Sequence, residues 1–479
     1  LAEEYPDQEI RGHGDPPDTM TRDAGEARTA PGLVLQADWI LPVNASAIPQ
    51  GYLVAAAGLI EYVGAELPER FLPLPRVRLE NTAILPGWVN SHCHLEFSDL
   101  DEPIPSEGTF DQWLARVMLQ RASVASLSPE ERLSLRQSAI RKGLLESWRC
   151  GVRWIVDNVT APWDPAWISD WQADMRRNLP PLAATALVPE GVVSVQPCFE
   201  LVDVQEKRWD QTSIFAFEQV GAPKFQGIVS QALAPHAPYT ASLQVTRRVA
   251  QWSRSQRGLV SMHLAETLEE LQWLDHRNGP LGDWIAPKTD AIHRLHLGTI
   301  DEHLSILASC WRTLVVHGNY LEPHQIDFLS RHRDGMAVVY CPRTHAWFHH
   351  RVHPLNQLVA QGVPVLLGTD SRASNPNLNL WGEVGCIMPN LESHASSQAI
   401  RMVSTDPAEF LDLPRGIGRI EIGGASQLTA IRWDDDDSSA SGRRSEKEWM
   451  EWMVKSGNPY PLETDTRIAV GGASRGNLR

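Results

Sequence analysis

Apolar and polar positions alternate in two textures along this chain. "GLVLQADWILPV", "GYLVAAAGLIEYVG" and "RVRLENTAIL" are short apolar runs, rich in β-formers and broken by Gly, Pro and Asn, and they predict a small β-domain over residues 32–83. From Ile84 short apolar runs alternate with longer helical stretches. The runs are "AILPGWVNSHCH", "VRWIVDNV", "PLAATALV", "GIVSQALAP", "LVSMHLAE", "RTLVVHG", "MAVVYCP" and "VPVLLGTD", which makes eight strand candidates. Between the first two, "SPEERLSLRQSAIRKGLLESWRCG" reads as a helix with Ser128 as N-cap, Pro129 at its first position and Gly151 past its end. Eight strand–helix units predict an α/β fold, a (β/α)8 TIM-like barrel over residues 84–411. A doubly wound sheet is the alternative, but no G-x-G-x-x-G follows any of the runs. "GRIEIGGASQLTAIRW" then returns to β texture, so residues 412–433 are expected to rejoin the N-terminal β-segments in a small β-sandwich domain.

The two ends differ from this pattern. Residues 1–31 are polar and acidic, without the apolar core of a secretory signal, and read as a disordered leader. "DDDDSSASGRRSEKE" opens a segment, 434–479, that reads as a charged linker and tail. The chain as a whole, with 42% hydrophobic and 21% charged residues, suits an ordinary globular protein. No apolar stretch approaches the ~18 residues of a membrane span. A net charge of −16 argues against a nucleic-acid partner, since phosphate binding needs concentrated Lys and Arg. The six cysteines are scattered without a C-x-x-C pair, which excludes a Cys-type zinc site and fits a reducing, cytoplasmic home.

Histidines mark the ends of the strand candidates. In "NSHCHLEFSDL", His92 and His94 flank Cys93, so on a strand both imidazoles project to one face. The fourth run ends at His236, the fifth at His263 and Glu266, the sixth at His317, the seventh in "VYCPRTH" and the eighth at Asp370. The C-terminal ends of barrel strands are where such folds carry active sites. A zinc-type ion wants neutral imidazoles and carboxylate oxygen with one position left for water, and His92, His94, His263 and Asp370 supply that set.

The segments "LPGWVNSHCHLEFS", "PHAPYT", "HLAET", "HGNYL", "CPRTH" and "GTDSRASNPNL" resemble the amidohydrolase superfamily, in its branch of mononuclear aromatic deaminases and chlorohydrolases. "HCHLEFS", "APHAPYT" and "CPRTHAWF" look most like the aminodeoxyfutalosine deaminases of the menaquinone route. The resemblance implies one divalent metal, Zn2+ or alternatively Fe2+, because no lysine at the fourth strand end suggests the bridge of two-metal branches. It implies that a metal-bound hydroxide attacks the substrate, with Asp370 accepting a proton from the water and His317 orienting the nucleophile. Glu266 is implied as the acid that protonates a ring nitrogen, and His236 as a partner of a substrate ring atom.

Arg343 and His345 in "RTH", where much of the branch has a Ser-Asn type sequence, are expected to mark the substrate class and to bind substrate. His349, His350 and His353 read as solvated or helix-capping, and His293 and His296 as structural. The stretch between Glu266 and Ile306 is long for a connection and is a candidate lid. The expected reaction is removal of an amino group from a small heteroaromatic substrate, such as an adenine-type nucleoside, with release of ammonia. The alternatives are a triazine-type chlorohydrolase or other C–N hydrolase, and a non-catalytic barrel. The zinc deaminases of nucleic acid use H-x-E with P-C-x-x-C, which is missing here. The resemblance also implies a homo-oligomer, commonly a dimer.

Overall fold

The computed structural model describes residues 32–188, 191–204, 232–286, 296–391 and 395–433, with shorter pieces between 212 and 220 and between 450 and 468. The expected leader, His293 and the acidic run after Trp433 lie outside the described residues.

Five strands open the chain: β1 (Gly32–Ile40), β2 (Ile48–Pro49), β3 (Tyr52–Ala56), β4 (Leu59–Gly64) and β5 (Arg76–Pro86). Eight follow: β6 (Trp88–Cys93), β7 (Val152–Val159), β8 (Ser194–Leu201), β9 (Ala232–Pro235), β10 (Leu259–Leu264), β11 (Arg312–His317), β12 (Met336–Tyr340) and β13 (Val365–Leu367). Two close it: β14 (Leu428–Arg432) and β15 (Asn458–Tyr460). Strands β6 to β13 form one parallel sheet in sequence order, with helices in the connections. Its two edges meet where Cys93 bridges Asp370, which makes the (β/α)8 barrel. The strands "LVSMHL" and "MAVVY" are buried along their whole length, as expected for parallel strands covered on both faces.

The remaining strands form one mixed sheet in the order β15-β14-β5-β1-β3-β4, with β2 on β1. N- and C-terminal segments therefore build the companion together. Its reach differs from the texture boundaries at both sides. Ile84, where the barrel was expected to begin, pairs with Ile40 and Ala430 in the companion sheet, and the barrel starts at Trp88 after Gly87. Asn458–Tyr460, inside the expected tail, is the edge strand on β14.

One strand was misassigned. "PLAATA" is a helix, Pro181–Ala186, with proline at its first position and three helix-favouring alanines behind it. The third barrel strand is instead "SVQPCFEL", pairing with β7 and β9. Gln196, Pro197 and Glu200 interrupt its apolar run and hide it from a periodicity reading.

The helix Pro129–Arg149 begins with a full capping box: Ser128 accepts from the Glu131 N–H and Glu131 accepts from the Ser128 N–H. It ends at Gly151, whose φ of +88° suits glycine. Among the described residues no helix is long and apolar enough to cross a membrane.

Candidate metal centre

Strand ends bring the chemistry together. His92 and His94 project from β6 and its end, His263 from β10 and Asp370 from the turn after β13. Ring nitrogens of His92, His94 and His263 all lie within 4.8 Å of one another. His94 Nε2 is 3.3 Å from His263 Nε2. Asp370 Oδ1 lies 3.5 Å from His92 Nε2 and 3.6 Å from His94 Nε2.

These residues fit a divalent ion on four counts. Both ring nitrogens of His92 are buried without a hydrogen-bond partner, a costly state unless something else satisfies them. Burial holds the His92 and His94 imidazoles well below the usual histidine range, which leaves them in the neutral form that a metal requires. His263 donates from Nδ1 to the His236 carbonyl at 2.8 Å, so its Nε2 carries the lone pair. Finally, two ligand atoms held at ~2.0–2.1 Å from one tetrahedral ion are about 3.3 Å apart, close to the separations found between these groups.

Glu266 follows β10 by two residues, and its Oε1 lies 3.6 Å from His317 Nε2. Burial first, and then the nearby Asp370, Glu270 and Glu269 carboxylates, push the Glu266 carboxyl well above its ordinary range. The shift favours its protonated form. Its backbone is pinned on both sides: Glu270 Oε2 accepts from the Glu266 N–H at 2.7 Å, and Asn319 donates to the Glu266 carbonyl at 3.0 Å. Ala265, His317 and Asp370 all have positive φ, at +52°, +70° and +55°. Left-handed backbone in a non-glycine residue costs of order 1–3 kcal/mol and gathers at functional sites.

His236 sits beside this group, its ring 5.1 Å from that of His263, and it shares a 2.6 Å hydrogen bond with Thr240. Arg343 and His345, expected to bind substrate, make their own contacts within the protein. Arg343 uses Nε on Glu383 (2.7 Å), Nη1 on the Asn377 side chain (2.7 Å) and Nη2 on two backbone carbonyls, those of Asn377 and Asn379. Four of the five guanidinium N–H groups are thus engaged within the protein. His345 donates to the Arg351 carbonyl at 2.8 Å.

Sequence reasoning missed two neighbours. Glu200, at the end of the overlooked strand β8, places Oε1 3.9 Å from His94 Nδ1, and with His236 and His263 it makes a second cluster of metal-capable groups that shares His263 with the first. His353, read as solvated or capping, is buried. It donates from Nε2 to the His317 carbonyl at 3.0 Å and stacks on Tyr340, and burial pushes its pKa down to about 3. Nothing in "HHRVHP" separates it from the exposed His349. His296 is largely exposed beside Glu302.

The family model described as "Amidohydrolase family" matches residues 83–442. The chain is 25% identical over 405 residues to a 5-methylthioadenosine/S-adenosylhomocysteine deaminase of Moorella thermoacetica, covering 82% of this chain and 83% of that one. Its fold is similar to that of Helicobacter pylori aminofutalosine deaminase in complex with methylthio-coformycin, with a TM-score of 0.69, 17% identity and coverage of 89% and 97%. It is similar as well to an adenosine deaminase from Xanthomonas campestris with bound zinc, with a TM-score of 0.67, 19% identity and coverage of 93% and 97%. The family model takes in the barrel from the approach to its first strand to its last, and the convergent strand ends supply the chemistry such enzymes need: this chain is an enzyme of the amidohydrolase family.

Proposed function

We propose that this enzyme removes the amino group of a small adenine-type compound by hydrolysis and releases ammonia. The observation that carries the reading is a buried Glu266, its carboxyl pushed upward by burial, held 3.6 Å from His317 and next to the cluster of three buried imidazoles and Asp370. A deaminase needs such a pairing: one group that accepts a proton from the attacking water and another that delivers a proton to the ring and the departing amine. His92, His94, His263 and Asp370 would hold one divalent ion, Zn2+ before Fe2+, in line with the zinc of the Xanthomonas enzyme. When bound, the ion lowers the pKa of water from 15.7 to about 7.

The protein residues divide the remaining work. Asp370 Oδ1 faces the ligand histidines and accepts the proton of the attacking water. Glu266 donates to a ring nitrogen, which makes the ring carbon electrophilic, and its carboxylate is then ready to take up a proton again. His317, neutral because of its burial, orients the nucleophile. His236 hydrogen-bonds a ring atom of the substrate. The relatives' names direct the choice within adenine-type compounds towards nucleosides carrying a 5′ substituent, including 5-methylthioadenosine and aminodeoxyfutalosine.

The test is ammonia release from adenosine, 5-methylthioadenosine, S-adenosylhomocysteine and aminodeoxyfutalosine, alongside chloride release from a chlorotriazine. Turnover of a nucleoside that disappears on metal removal and returns with zinc supports the reading. Chloride release without any deamination overturns it in favour of the chlorohydrolase.

A further inference from the structure

The "RTH" segment departs from the Ser-Asn type sequence common in its branch, and the structure gives its middle residue a task. Thr344 lies in the short helix Pro342–Trp347 that follows β12, and its Oγ1 is 3.1 Å from Ser374 Oγ. Ser374 in turn donates from Oγ to Asp370 Oδ2 at 2.7 Å. Thr344 is 2% exposed and Ser374 fully buried, so these hydroxyls have no bulk water to turn to.

The direction of the chain follows from the proton count. An ionised carboxylate only accepts, so the single Ser374 proton goes to Asp370. Ser374 must then accept, and the Thr344 hydroxyl is the donor. The other acceptor near Ser374, the Ser371 carbonyl, is at 3.5 Å and competes weakly. Asp370 is thereby divided: Oδ2 is held by a hydroxyl, and Oδ1 is left facing His92 and His94.

Glu383 fixes the distance between the two ends of this chain. It accepts from the Arg343 backbone N–H and Nε, at 2.9 and 2.7 Å, and from Asn375 Nδ2 at 2.8 Å. Asn375 also donates to the Thr369 carbonyl at 2.7 Å. The neighbour of Thr344 and the neighbour of Ser374 are thus tied to one buried carboxylate.

We propose that Thr344 and Ser374 are positioning residues that select which oxygen of Asp370 faces the reaction, Thr344 acting through Ser374. The inference rests on the role given to Asp370 under the proposed function. Two buried hydroxyls in series polarise one another, so loss of the outer one weakens the inner.

The test uses the full chain loaded with zinc, and Thr344→Val against Thr344→Ser. Valine keeps the shape and removes the hydroxyl; serine keeps the hydroxyl and leaves a small gap. Zinc release to a chelator is expected to be about tenfold faster in Thr344→Val and unchanged in Thr344→Ser, in line with second-sphere substitutions generally. For the nucleoside turned over fastest in the panel above, Thr344→Val is expected to lower kcat about tenfold with KM within about twofold, and Thr344→Ser to restore kcat. Ser374→Ala should lower kcat further, and the double variant Thr344→Val/Ser374→Ala should be no worse than Ser374→Ala alone. The inference is overturned if Thr344→Val releases zinc and turns over substrate like the parent, if Thr344→Ser is as damaged as Thr344→Val, or if the double variant adds both losses. Asp370→Asn separates the two readings: an active Asp370→Asn removes the proposed role of Asp370, whereas an inactive one with a parent-like Thr344→Val removes the relay alone.

Discussion

His92 and Asp370 are joined twice: the Asp370 N–H donates to the His92 carbonyl at 3.1 Å, and Asp370 Oδ1 stands 3.5 Å from His92 Nε2. The first and last barrel strands therefore meet at the residues that carry the chemistry. Closing the sheet and assembling the candidate metal centre are one structural event.

Gly368 makes that approach possible, because a Cβ on it would lie 2.9 Å from the backbone N and O of His92. Gly368→Ala is expected to force the two strands apart, at about 1–3 kcal/mol for overpacking of this kind. Urea melts together with metal analysis check this; unchanged stability and full zinc content would show that the seam is not tight.

The division between ligand and proton donor is testable by two variants. His263→Ala is expected to lose the metal, whereas Glu266→Gln keeps it and loses kcat by at least about a hundredfold, the scale of a missing general acid. A glutamine variant purified without metal contradicts the division.

A charged pair fastens the C-terminal segment beneath the barrel. Arg153, fully buried on β7, donates to Glu463 at 2.9 Å and to the Leu428 carbonyl at 2.6 Å, and Trp148 donates to the same carboxylate at 2.7 Å. Arg153→Met should cost about 3–5 kcal/mol by leaving Glu463 buried and unpaired, and Arg153→Met/Glu463→Met should cost less than that single change. Equilibrium unfolding of both measures the difference, and a double variant worse than the single one refutes the argument.

His303 gives the molecule an acid sensitivity separate from the metal centre. Burial pushes its pKa down to about 4, while it bonds the Leu297 carbonyl at 2.6 Å and Thr246 at 3.1 Å. Above the unfolded value near 6.5 both states are neutral here and nothing is lost. As pH falls from 6.5 to 4 the unfolded chain binds a proton that the folded protein does not, so stability declines, by roughly 3 kcal/mol in full. Relative to the parent, His303→Gln should lose correspondingly less stability between pH 7 and pH 4. Parallel unfolding curves across that range would exclude the contribution.

Legibility in the sequence followed burial. Strands such as "LVSMHL" are mostly apolar because helices cover the outer face and the barrel interior the other, and their histidines stood out against that background. The same rule concealed β8, whose Gln196, Pro197 and Glu200 look like loop residues, and with it the carboxylate beside His94. The ion pair of Arg343 with Glu383 was not legible either, because the carboxylate lies forty residues away on another helix. Asn458–Tyr460 has no apolar periodicity of its own; β14 supplies its pairing.

The left-handed backbone at Ala265, His317 and Asp370 bears on how this enzyme could be altered by design. Gly, Asn, Asp and His adopt such a conformation most readily, and branched residues are the most strongly refused. Random libraries at these seats would therefore carry many destabilised members, and diversity aimed at new substrates is better placed on rings beside the cluster, Phe97 next to His94 and Tyr239 next to His236.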